Sequence, residues 1–176
     1  MALIDLLIQK KADLLARWRD LVFDSYAPET ARFLKSQKDR FANPIAYQLN
    51  RGLTGIFEVF LEEADPQQIA VHLDEVIKLK AIQEAQPSRA MAFLFLLKTI
   101  IRAELAPQLN DPAYIEELAE LDSRLDGLAL LGFDVYMQRR ERLHEVRVGE
   151  LKRKVGGLLR RLGMGEEFFE DKSGEE

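Results

Sequence analysis

The chain has no cysteine, one tryptophan and two histidines in 176 residues. Each scarcity removes a class of chemistry. Without cysteine there are no disulfides, no thiolate nucleophile and no cysteine zinc site, and two histidines are too few for a histidine-rich metal centre. The same absence fits a reducing cytoplasm, and the N-terminal residues lack the basic, apolar and small-residue order of a signal peptide, so a cytoplasmic location is expected. Long hydrophobic runs are missing too. The most apolar stretch, residues 90–101, is broken by Lys98 and followed by Arg102, short of the about 20 residues a membrane span needs. It reads as a buried central helix that other helices must cover on several sides. Ser25, Ser36, Ser88 and Ser123 lack a nucleophile-elbow context, and Gly163-Met164-Gly165 follows a helix, where it fits a stop better than a phosphate cradle. No enzyme, cofactor or metal is expected.

What the sequence does contain is helical periodicity from end to end, with no alternating strand pattern. Leu3, Leu7, Leu14, Trp18, Leu21 and Val22 share one face of a first amphipathic helix, with Lys10, Lys11, Asp13, Arg17 and Arg19 mainly on the other. Ala27-Pro28-Glu29 opens a short second helix. Asn43-Pro44, Asp65-Pro66 and Asp111-Pro112 are three further starts of one design, a capping side chain followed by a proline whose missing N–H needs no partner in the first turn. The helix from Pro66 should end before Pro87, and the central helix should run over 88–105 and stop at Pro107. From Ala113 no proline follows, which predicts one long helix, bent near Gly127 or Gly132, and a further segment over 143–162. The expected fold is all-α, a six- to seven-helix bundle with a long C-terminal helix, for which helix number and length fit a globin-like arrangement. At this length one core burying about 70% of the unfolded surface is within reach.

The densest motif is Lys38-Asp39-Arg40-Phe41-Ala42-Asn43-Pro44. Asn43 is a good N-cap, Asp39 lies near the positive end of the helix it starts, and Arg40 is free to pair with a carboxylate elsewhere. Asp39, Arg40, Phe41, Asn43 and Pro44 are therefore either helix-start chemistry or a ligand site. Together with Trp18, Tyr26, Phe33 and Leu34 ahead of it, the block resembles the N-terminal domain of RsbRD, an RsbT co-antagonist of bacterial general-stress signalling. The resemblance covers roughly residues 3–150 and is sharpest at 39–44. It implies a sensory or regulatory input module of the kind that, in the family, precedes a phosphorylatable STAS domain. No STAS domain lies in these 176 residues and no phospho-acceptor of the family can be carried over onto them, so output is expected to pass to a separate signalling protein.

Charge supports that division. Residues 139–161 hold nine Lys/Arg and three Glu, a net of +6, whereas 166–176 hold six acidic residues and one Lys, a net of −5. The rest of the chain is acidic, which disfavours nucleic acid as a partner. The chain divides into a helical domain at 1–150, a basic amphipathic helix at 151–165 and a disordered acidic tail at 166–176. Leu151, Val155, Leu158, Leu159 and Leu162 form an apolar stripe between basic residues, suited to a partner's groove or to peripheral contact with an anionic membrane. The proline-free stretch 113–147 is long enough to predict a homodimer with Leu121, Leu125, Leu128 and Leu131 as its seam. His72 is either a packing residue or, in a globin-like fold, a haem ligand. His144 reads as part of a solvated face. Glu116 and Glu120 share a helix face but lack the Glu-x-x-His partners of a di-iron bundle. The reading that follows is a non-enzymatic regulatory module acting through protein–protein contact. Its alternative is a carrier of a small apolar ligand or cofactor, with the core around Phe93 and Phe95 as its pocket.

Overall fold

The computed structural model describes residues 3–36, 41–62, 65–83, 86–109 and 111–161, and every regular element among them is helical. In order these are α1 (Leu3–Gln9), α2 (Lys11–Asp24), α3 (Pro28–Ser36), α4 (Pro44–Glu62), α5 (Pro66–Gln83), α6 (Pro87–Leu105), a 3-10 turn (Ala106–Gln108) and α7 (Ala113–Arg161). Four helices begin on a proline at their first position; Pro28, Pro44 and Pro66 are the expected starts, whereas α6 begins at Pro87, one residue before the expected 88, and α7 at Ala113, one residue after Pro112. Asp65 caps α5 by accepting the Gln67 N–H at 2.8 Å, and Asn43 caps α4 by accepting the Ala46 N–H at 3.1 Å.

The core is built on α6. Phe93 stacks on Trp18 of α2 with centroids 6.2 Å apart, and the Trp18 indole N–H donates to the Phe93 carbonyl at 2.7 Å, so the one tryptophan is buried with its polar atom satisfied. On another side Met91 and Leu94 lie against Gly132 of α7, close enough that a Cβ there would overlap Met91. The most intimate pair is α4 with α5. A Cβ at Gly52 would fall 2.5 Å from Val76, and one at Gly55 would fall 2.1 Å from His72 Nδ1. Two glycines three residues apart thus set the approach of these antiparallel helices. Ion pairs staple the outside. Lys10 and Arg17 both hold Glu104 of α6, Lys11 pairs with Glu58 of α4 at 2.6 Å, and Lys98 and Arg102 of α6 hold Asp126 and Asp122 of α7 at 2.7 Å each.

Several expectations need correction. The first amphipathic helix is two, with the backbone leaving helical geometry at Lys10. Tertiary ties act on the two ends of α1: the Leu3 N–H donates to Glu117 of α7 at 2.6 Å, while the Lys10 ammonium is drawn to Glu104 of α6, and α1 packs on α2 and α4. Conversely, the separate segment expected at 143–162 is a continuation of α7, because glycine weakens a helix without removing its hydrogen bonds and no proline intervenes. Trp18, Tyr26 and Phe33, which precede the motif in the sequence, have separate surroundings. Trp18 turns to Phe93, Tyr26 lies under the Lys80 ammonium at 3.9 Å, and Phe33 is exposed.

The chain divides into two compact units, Met1–Met137 and Gln138–Glu176. The first contains the whole hydrophobic core found among the described residues. The second contains, in its described part, residues 138–161 of α7.

Candidate functional site

Asn43 is 1% exposed and uses both ends of its amide. Its oxygen caps α4, while its Nδ2 donates to the carbonyls of Phe33 at 3.2 Å and Leu34 at 3.5 Å, in the last turn of α3. One side chain therefore satisfies an orphan donor of one helix and orphan acceptors of another. Asp39 and Arg40 lie outside the described residues. Phe41 is 84% exposed and, with Pro44, Tyr47, Arg51, Glu75 and Lys78, borders a cleft of about 350 Å³. Arg51 reaches Glu75 Oε1 at 3.0 Å, leaving Glu75 Oε2 buried without a hydrogen bond among the described residues. The motif is thus structural at Asn43 and Pro44 and forms part of a cleft wall at Phe41 and Pro44.

A larger groove, about 820 Å³, lies between the end of α4, the start of α5 and α7. Its floor includes Phe60, Ile69, Leu128 and Leu131, with Ser123 and Arg124 along one side. The Arg124 guanidinium donates to the Phe60 carbonyl at the end of α4 and lies 5.0 Å from that residue's ring. Phe93 and Phe95 do not face one common space. Phe93 is in the core and Phe95 is exposed, since residues two apart on a helix point about 200° apart. A basic residue three past Leu121 and four before Leu128 is the signal that marks Arg124 in the sequence. Lys80 is a parallel case, buried on the Leu73, Val76, Ile77 stripe of α5 beneath Tyr26.

The histidines and acidic pairs fall into place individually. His72 packs its ring over Gly55, which makes it a spacer between α4 and α5. His144 is exposed. Glu117 binds the first turn of α1, Glu120 lines the groove, and among the described residues no three His, Asp or Glu side chains are placed to hold a metal ion. Glu104 has its carboxyl held below the ordinary glutamate range, chiefly by the hydrogen bond from Lys10, with burial opposing and Arg17 adding to the shift.

The C-terminal stripe is largely exposed. Leu151 and Leu158 are 63% and 57% exposed and Val155 is exposed, while Leu159 is half-buried and Leu162 lies outside the described residues. By contrast Leu121, Leu125 and Leu128 are buried in the protomer's own core and Leu131 is packed against it, so they do not form the dimer seam expected of them. None of the described helices is long and apolar enough to cross a membrane.

What these features define is an all-helical domain with an exposed apolar stripe near the end of its last helix. The family model described as the RsbT co-antagonist protein rsbRD N-terminal domain matches residues 12–151, and the chain belongs to that family of regulatory signalling domains. No curated protein and no solved structure matches the chain.

Proposed function

We propose that this chain is a non-enzymatic, cytoplasmic input module of bacterial signalling that acts by binding a separate protein through 151–162. The observation that carries the reading is the apolar stripe at Leu151, Val155 and Leu158, left exposed at the end of a helix whose earlier turns are committed to the core. Family membership supplies the regulatory context. The described part of the motif, 41–44, then serves to fix α3 against α4, with Phe41 and Pro44 on the wall of the cleft. The test is capture by the tagged full chain from cells that produce it. One protein should be recovered in stoichiometric amount and lost when residues 151–176 are removed; recovery that survives the truncation would dismiss this segment as the dock. Self-association, where the buried leucines are ruled out, falls to the exposed Leu130, Phe133 and Met137 on the outer side of α7. Light scattering at micromolar concentration should read twice 20.2 kDa, and Leu130→Lys should restore the single mass.

A second reading is favoured by the groove at Arg124, whose about 820 Å³ falls within the usual range for small-molecule sites. It makes the chain a receptor for a small apolar ligand. Native mass spectrometry should then show a co-purifying mass that Gly127→Trp, placed where a Cβ meets no neighbour, displaces; an unliganded protein would end this reading.

A further inference from the structure

The seam at the end of α7 carries information about its partner. Val148, Leu151, Val155 and Leu158 follow a three-four-three spacing, with β-branched residues alternating with leucine. That is the pattern of a helix that packs on another helix along a narrow seam. All four are exposed. The positions flanking the seam are Arg147, Lys154 and Arg161 on one side and Lys152 and Leu159 on the other. Among the described residues none of Arg147, Lys152, Lys154 or Arg161 makes an ion pair.

Resting on the protein-binding reading above, we infer that this seam takes an acidic amphipathic helix of another protein, one with an apolar stripe bordered by Glu or Asp. Flanking charge excludes the nearest rival, a second copy. In a parallel pair Arg147 would meet the partner's Lys152, and in an antiparallel pair like flanks would meet, so each charged contact would be basic on basic. A lipid surface fits less well. Residues 138–161 contain no Trp, Phe or Tyr to anchor at an interface, and basic Arg153 and Arg160 sit opposite the seam.

The experiment uses the full chain and two synthetic helical peptides of about four heptads with the same Val/Leu seam, one with Glu at every flanking position and one with Lys. The Glu peptide should bind at least about ten-fold more tightly in low salt, and the preference should shrink in about 1 M salt, where charges are screened beyond about 3 Å. The double variant Leu151→Asp, Leu158→Asp should abolish binding with thermal unfolding unchanged, because both side chains are already in solvent. Reversing Arg147, Lys152, Lys154 and Arg161 to Glu should transfer the preference to the Lys peptide. Equal binding of both peptides, or binding of neither, overturns the inference. So does uptake of the wild-type chain onto phosphatidylglycerol vesicles that displaces the Glu peptide, or a doubled mass abolished by the double aspartate variant. If a cellular partner is still captured after the charge reversal, the regulatory reading stands and the acidic helix falls.

Discussion

Asparagine and aspartate are about equally good N-caps, so Asn43→Asp should be nearly silent if capping were the whole role of this residue. The structure makes the opposite demand. The Oδ1 atom faces the Ala46 N–H and Nδ2 faces the Phe33 and Leu34 carbonyls, an orientation fixed by the partners themselves. Aspartate keeps the first bond and replaces the donor with an anionic oxygen aimed at two carbonyl oxygens in a site that is 1% exposed. Losing the hydrogen bond at 3.2 Å and the weaker one at 3.5 Å removes about 1–2 kcal/mol. Leaving the carbonyls facing a buried oxygen adds about 1–3 kcal/mol more. We expect a total of about 3 kcal/mol, or a fall in Tm of about 6–12 °C for a domain of this size. Circular dichroism melts and urea titration at neutral pH measure it. Asp65→Asn is the control, because Asp65 caps α5 from an exposed position by accepting one backbone N–H; it should change stability by less than about 0.5 kcal/mol. If Asn43→Asp is as stable as the parent, the α3–α4 tie does not exist as described and the motif reduces to a helix cap.

Glycine substitutions should divide by location. Gly55→Ala places a Cβ 2.1 Å from the His72 ring and should lower stability by about 2 kcal/mol or more, whereas Gly127→Ala, with nothing within 4 Å, should raise it by about 0.5–1 kcal/mol; urea midpoints that do not separate the two would refute the close α4–α5 packing. Glu104 has a lowered native pKa, so its contribution is complete above the ordinary glutamate pKa and is lost as pH falls through the native value. Glu104→Gln should accordingly flatten the acid limb of a stability–pH curve between those two values. An acid limb unchanged by that substitution would remove Lys10 and Arg17 as its cause.

The sequence by itself determined the helical class, the starts at Pro28, Pro44 and Pro66, the end of α6 at Pro107, and the family. These are local or compositional properties: a capping side chain and a proline act within one turn, and apolar periodicity marks the buried face of a helix wherever that helix is placed. The exposed stripe at Leu151, Val155 and Leu158 was legible for the same reason. Tertiary structure decided what depends on which faces meet. It split the first helix at Lys10, with ties to Glu104 and Glu117 on two different helices. It sent Trp18 to Phe93, put Leu121, Leu125 and Leu128 into the protomer's own core, and opened the groove at Arg124. It also gave Asn43 a second task, since a cap reads as a cap in any sequence, but only the return of α3 beside α4 brings two carbonyls within reach of its amide.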